Sequence, residues 1–209
     1  MWDNSDACSP SAATDDGAIQ AAVRERVSEE RFAHILAVAS LAGSLAHDWG
    51  IAEDRARRAA LLHDYARDMT APELLHAAGT HGLPVTPFER DHPGLLHGPV
   101  AAYVAGRDFG LDPEACAAIA SHTVGRAGME TFELLLFVAD HAAEGRRGHG
   151  PPRWREMARS DLVAVAREIT DEIIKRSLKR GYSLSPVLVE TRNDLLHRQG
   201  AAMVESSEG

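Results

Sequence analysis

The stretch AALLHDYARD, residues 59–68, sets an imidazole and a carboxylate, His63 and Asp64, side by side directly after a run of Ala and Leu. A buried His beside a buried Asp is costly unless each has a partner, which can be another protein group, a proton or a metal. Four more residues of these types sit in similar surroundings. His34 lies between apolar neighbours in RFAHILAVA, and His97 stands where a Pro- and Gly-rich stretch enters a helix. His122 falls near a helix end, and Asp140 follows the apolar run LLLFVA. Six such groups turned into one core have one economical explanation, a metal centre. A His and carboxylate set without Cys suits Fe, Mn, Zn or a similar divalent ion. Singly, each has a plainer reading: a lone helical His more often packs or faces water, and Asp140 could pair with Arg146.

The other histidines test this reading. His47-Asp48 repeats the His-Asp pair but precedes Trp49-Gly50 at a helix end, where an exposed imidazole would favour the C-terminal dipole. His76, His81, His149 and His197 fall in loops or on polar faces and read as solvated. His92 and His141 each neighbour a candidate and stay ambiguous.

Helices must position the six. Residues 1–17 are small, polar and aperiodic and read as a disordered tail. Ser28 with Glu29 and Glu30 makes an N-cap and an acidic first turn, followed by Phe32, Ile35, Leu36 and Ala39 at helical spacing up to Gly50. A helix is expected over Ala52–Arg67, and a short one from Thr70 and Pro72 to Gly79. HGLPVTPFERDHPG, residues 81–94, reads as a long loop, and long loops inside compact domains are often functional. Further helices are expected from Gly98-Pro99 to Gly110, from the Asp112-Pro113 start, over Thr131–Ala143, from a Ser160 cap to Arg180, and over Val187–Arg198. GRRGHGPP breaks the chain before the Ser160 cap. No alternating β pattern occurs, so the fold class is all-α, and neighbouring helices of a bundle are a normal place for a metal site.

Composition narrows the function. With a formal charge of −9, the chain lacks the clustered cations a nucleic acid needs, so no nucleic-acid partner is expected. A small phosphorylated ligand remains open, since a local metal or Arg can reverse the field in a pocket. Cys8 and Cys116 form no CxxC motif and no disulfide framework, as in a reducing compartment. LLLFVA is far too short to span a bilayer and the N-terminus has no basic region, so the expectation is a cytoplasmic protein without a membrane partner.

The order His, His-Asp, His, His, Asp resembles the HD-domain superfamily of metal-dependent phosphohydrolases. RFAHILAVASLAGSLA, ALLHDYARD, HGPVAAYV, IASHTVGRAGM and LLLFVADHAAEGR together resemble the YqeK family, the symmetrical bis(5'-nucleosyl)-tetraphosphatases. HGPVAA and SHTVGRAGM carry this closer likeness, because the bare His-Asp pair is widely shared. The likeness runs from about residue 19 to about residue 185. It divides the chain into the tail 1–17, an HD-type phosphohydrolase domain 18–185, and a C-terminal helix and tail 186–209. It implies an HD-domain helical bundle that cleaves a small nucleotide, diadenosine tetraphosphate, to two ADP. The implied cofactor is a two-metal iron centre, with Mn or other divalent ions as alternatives.

The same resemblance assigns His34, His63, Asp64 and Asp140 to one ion, and His97, His122 and a bridging Asp64 to the second. Two ions about 3.5–4 Å apart can clamp an in-line phosphoryl displacement. Asp64, Arg67 and Arg126 become catalytic groups, and Arg67, Thr123, Gly125 and Arg126 substrate-binding ones; guanidinium suits phosphate oxygens. Arg67 also reads as a helix-end cation near Asp68, and Gly125 and Gly128 as a helix stop. One departure stands out. Family members carry Tyr and then a Glu-Pro pair after the last Asp, whereas DHAAEGR has Ala143 in the acid's place and Glu144 in the Pro's. Two other readings compete: an HD-type nucleotidase or phosphodiesterase with another substrate, and a non-catalytic nucleotide-sensing module. A homodimer is left open.

Overall fold

The computed structural model describes residues 15–146 and 150–207, and among these it has eleven α-helices, one 3-10 turn and no strand. The all-α expectation holds. The helices are α1 (Asp16–Arg24), α2 (Glu29–Asp48), α3 (Glu53–Leu62), α4 (Ala71–Thr80), α5 (Pro87–Asp91), α6 (His97–Phe109), α7 (Pro113–Ser121), α8 (Thr131–Ala142), α9 (Gly150–Met157), α10 (Leu162–Lys179) and α11 (Pro186–Ser207). α8 is the core: every residue from Phe132 to Ala142 except His141 is buried, including Glu133 and Asp140. Helices α2, α3, α7, α9 and α10 pack around it, so its two acids must find partners among its neighbours.

Local chemistry explains most helix ends. Ser28 caps α2 by accepting from the Arg31 N–H at 3.3 Å, and Asp112 caps α7 by accepting from Glu114 and Ala115. Gly110 adopts φ +67° after α6, the left-handed stop that glycine permits. Four expectations need correction. First, α1 starts inside the presumed tail because Asp15 caps it, accepting from Ala18 N–H at 2.8 Å; residues 1–14 lie outside the described residues.

Second, the helix expected over Ala52–Arg67 stops at Leu62. Residues 63–68 continue as turns, with Arg67 N–H donating to Asp64 O at 2.9 Å. There the chain exchanges helix for two anchors: Asp64 accepts from Arg31, and Asp68 accepts from the Ser28 N–H at 2.7 Å. Third, the loop at 81–94 contains α5 and a 3-10 turn, Pro93–Leu96. Thr86 and Glu89 form a capping box around Pro87, which sits in the first turn where its missing N–H costs nothing. Fourth, Asp161 and not Ser160 caps α10, by accepting from Ala164 N–H at 2.8 Å. In addition α9 occupies part of the expected break, and α11 is longer than Val187–Arg198; His149 and its two predecessors lie outside the described residues.

Candidate metal centre

Five helices converge on the six candidates. His34 comes from α2, His63 and Asp64 from the end of α3, His97 from the first turn of α6, His122 from the C-cap of α7, and Asp140 from α8. All but His34 are buried. The structure brings the whole set together around Asp64. One carboxylate oxygen of Asp64 lies 3.2 Å from His97 Nε2 and 3.6 Å from His122 Nε2. The other lies 3.4 Å from His63 Nε2 and 4.0 Å from His34 Nε2. Asp140 completes the His34 side, with Oδ1 at 2.8 Å from His34 Nε2 and 3.7 Å from His63 Nε2.

The rings are held from behind. Nδ1 of His63, His97 and His122 faces the carbonyl three residues earlier, Ala60 at 2.6 Å, Gly94 at 2.5 Å and Ile119 at 2.7 Å. An Nδ1–H donated to a carbonyl leaves Nε2 as the free donor atom, the usual arrangement behind a metal-ligating His. Gly98 makes the approach of α6 to α7 feasible: a Cβ there would sit 3.0 Å from Ala120 O and 3.2 Å from Ile119 O, the carbonyl that orients His122. That accounts for the Gly in HGPVAA.

The residues fit a divalent cation. His63 Nε2 is buried and has no hydrogen-bond partner among the described residues, a costly state for a polar atom. His97 and His122 bring their Nε2 atoms to 3.1 Å of one another, close to the roughly 3.3 Å that separates two nitrogens about 2.0–2.1 Å from one tetrahedral ion. Ligand atoms of His34, His63 and Asp140, and again of His63, Asp64 and His122, lie within 4.8 Å of each other.

Electrostatics agree. Burial opposes the charge of Asp64, yet His63 beside it and the His122 and His97 imidazoles around it hold its carboxyl well below the usual range. Burial likewise opposes Asp140, and His34, His141 and Arg146 hold it low. Burial pushes His97 down, towards the neutral imidazole a metal needs. Burial opposes charge on His63, yet Asp64, Asp140 and the Ala60 carbonyl together raise it. A proton and a cation therefore compete for the same place.

Two charged residues of the site, Arg31 and Glu133, escaped the sequence reading, and the Asp140–Arg146 pair it offered is present. Arg31 NH1 donates to Asp64 at 2.9 Å. Arg146 donates to Asp140 Oδ1 and, through Nε, to Asp140 O at 2.9 Å, with its NH2 3.2 Å from His34. Glu133, buried on α8, accepts from Arg126 at 2.6 and 2.5 Å and from Ser121 Oγ at 3.2 Å. Arg31 could have been found at one helical turn from His34, and Glu133 as an acid inside the apolar run TFELLLFV.

Of the proposed substrate contacts, Thr123 is closest: its Oγ1 lies 3.3 Å from Nε2 of both His97 and His122. Arg67 is exposed beside Gly94, whose carbonyl orients His97. Gly125 has φ +71°, and a Cβ there would meet Thr191 Cγ2 at 2.5 Å. Arg126 spends Nε and NH2 on Glu133 and so is a structural tie before it is anything else. Ala143, in the acid's place, is fully buried. The decoys stand apart: His47 is exposed, Asp48 pairs with Arg159 at 2.8 Å, His81 stacks on Tyr103 and His92 on Phe88. His141 turns Nδ1 to Phe137 O at 2.9 Å.

Comparison with known proteins points the same way. The HD domain family model matches residues 31–175. The protein named symmetrical bis(5'-nucleosyl)-tetraphosphatase in Bacillus subtilis is 33% identical over 143 residues, 68% of this chain and 76% of that one. Its namesake in Halalkalibacterium halodurans is 31% identical over 180 residues, 85% of this chain and 95% of that one. A solved structure from Clostridium acetobutylicum, described as a "predicted HD superfamily hydrolase involved in NAD metabolism", superposes with a TM-score of 0.82 at 28% identity, covering 86% of this chain and 96% of that chain.

Proposed function

The chain belongs to the HD-domain family and, within it, to the symmetrical bis(5'-nucleosyl)-tetraphosphatases; from that premise we propose that its metal centre hydrolyses dinucleoside tetraphosphates, cutting diadenosine tetraphosphate into two ADP. The observation that carries the reading is the division of Asp64, one oxygen towards His97 and His122 and the other towards His34 and His63. A carboxylate so placed suits two cations, and the resemblance makes iron the native choice, with Mn or another divalent ion able to substitute. His34, His63, Asp140 and Asp64 would hold one ion; His97, His122 and Asp64 the other.

Bound divalent ions supply Lewis acidity to the phosphate oxygens and lower the pKa of water enough to give a nucleophile at neutral pH. The balance is simple. Water oxygen bonds to one of the two inner phosphorus atoms, the bond from that phosphorus to the central bridging oxygen breaks, and the bridging oxygen leaves with the other half. Two nucleoside diphosphates and the water's protons result. The protein's own groups orient and neutralise. Backbone carbonyls fix three imidazoles, Thr123 stands at the edge of the His97–His122 pair, and Arg67 on the rim is free to meet phosphate. Gly125 gives the following loop its left-handed turn, and Arg126 positions that loop through Glu133 with NH1 turned outward to Ala127 O at 3.0 Å. This reading places the enzyme in the cytoplasm, where nucleotides and a reducing milieu coexist. No helix among the described residues is long and apolar enough to cross a membrane.

The test is product analysis on protein purified without oxygen, with its metal content measured. Diadenosine tetraphosphate should give ADP alone, and activity should vanish on chelation and return with Fe or Mn. Release of ATP and AMP, or full turnover without metal, would overturn the reading.

A further inference from the structure

A cleft of about 1020 Å³ lies between α9 and α10, outside the six ligands. α10 turns one stripe into it: Ile169, Ile173, Arg176 and then Arg180 recur at helical spacing, with Lys175 alongside. At about 1.5 Å per residue this stripe is roughly 16 Å long. Trp154 of α9 forms part of the opposite wall, its indole N–H donating to Glu168 at 2.9 Å. His141 and Arg146 also line the cleft. Arg146 is the residue whose guanidinium reaches Asp140 and lies 3.2 Å from His34. Arg146 therefore joins the cleft to Asp140 and His34.

Its charge is unlike that of the rest of the chain. Arg153 and Arg167 are tied to Glu168 and Asp171. Lys175, Arg176 and Arg180 form no ion pair among the described residues, and Glu172 is the one remaining acid in the lining. On a chain of net charge −9, a cleft with this local excess of cations concentrates anions. Ile173 and the Trp154 ring add apolar surface beneath the cations, and the volume lies at the upper end of the roughly 300–1,000 Å³ of small-molecule sites.

Symmetrical cleavage sets a geometric demand. Two equal arms, each a nucleoside with two phosphates, must leave the metal centre in different directions. Thr123 lies against His97 and His122 and Arg67 beside Gly94, whose carbonyl orients His97, whereas Arg146 meets His34 and Asp140 across Asp64. We infer that the α9–α10 cleft binds the second nucleoside diphosphate arm, with Arg146, Lys175 and Arg176 facing its phosphates and Ile173 with Trp154 forming an apolar wall for its base. This inference rests on the hydrolase reading above.

The experiment compares wild type with Lys175→Glu/Arg176→Glu, both as full-length, metal-loaded protein. With diadenosine tetraphosphate as the probe, KM should rise by about tenfold or more, the cost of losing charge-assisted contacts. Inhibition by ADP, a single arm, should change by no more than about threefold, because the other side of the centre still binds it. An unchanged KM overturns the inference, and so does an equal loss for both ligands, which would mark a general field effect. If the reversed charges unfold α10 by circular dichroism, Lys175→Gln/Arg176→Gln carries the test with the same two outcomes. If wild type releases no ADP at all, the hydrolase reading fails by itself. Equilibrium binding of diadenosine tetraphosphate and of ADP then judges the cleft by the same selective loss.

Discussion

Asp64→Asn keeps size and polarity but removes the anion that the four surrounding imidazoles share. Metal content should fall and turnover collapse, while circular dichroism stays at the wild-type level. His47→Ala and Asp48→Asn, which disturb only an exposed imidazole and a surface ion pair with Arg159, should leave both unchanged. Retained metal and turnover in Asp64→Asn would put the site elsewhere. Arg126 calls for a different expectation. Its partner Glu133 is 2% exposed, whereas Arg126 itself is 47% exposed. Arg126→Ala leaves a buried carboxylate with only Ser121 Oγ and the Glu130 N–H as partners and no counter-charge, and should cost about 2 kcal/mol in urea unfolding. Glu133→Gln in the same chain should restore most of it; if Arg126→Ala is as stable as wild type, the tie carries no weight. The six candidate ligands were legible in the sequence because polar types interrupted apolar runs. Arg31 was not, because an arginine on a helix looks solvated until the fold shows which carboxylate it meets; Arg146 was legible only as a partner for Asp140, six residues away.

The helices carry their own tests. α7 is held by Asp112, which caps it and accepts from Arg55 at 2.7 and 2.6 Å. Arg55 above all, against an opposing burial, lowers the Asp112 carboxyl to about 2. Its pKa is depressed relative to an unfolded value near 3.9, so the stabilisation is complete above about pH 4 and fades as pH falls towards 2. Asp112→Asn keeps a capping oxygen and removes the charge. Its deficit against wild type, about 1 kcal/mol once solvent screening of this half-exposed pair is allowed for, should be present at pH 6 and absent near pH 2; a pH-independent deficit would refute the charge argument. α11 makes a second case, because it braces the loop after His122. Asp194 accepts from Gly128 N–H at 3.0 Å, Arg198 donates to Met129 O at 2.8 Å, and Thr191 fills the space over Gly125. Gly125→Ala should therefore cost about 2–3 kcal/mol, and distinctly less in a Thr191→Ala background, where the positive φ and a 3.1 Å approach to the flexible Met129 Cε remain. Equal costs in both backgrounds would mean that the contact is irrelevant. Spacing and caps made α2, α6, α7 and α8 readable. α5 was hidden because its prolines read as breakers, although the Thr86–Glu89 box marks a start. No local signal says that α11 lies on the GRAGM loop, since that contact joins segments more than sixty residues apart.

At the scale of the molecule, the centre gathers five helices around a cluster of acids and imidazoles. Such a cluster is costly to bury without counter-charge. Metal that binds only the folded chain adds stability by mass action, about 4 kcal/mol at a thousandfold excess over Kd. For a chain of this size that means roughly ten degrees in Tm. Chelated and reloaded protein compared by calorimetry should show it; coincident melting curves would mean that the cluster holds no ion. The carbonyls behind His63, His97 and His122 have a further consequence. Each imidazole is aimed by a peptide group three positions upstream, and every amino acid supplies that group. The aiming is written in chain spacing and not in side-chain identity. Residues at those upstream positions can drift as far as packing allows without turning a ring, whereas a single inserted or deleted residue between carbonyl and ring would turn one ligand away. Such a centre is open to substitution around it and closed to changes of length.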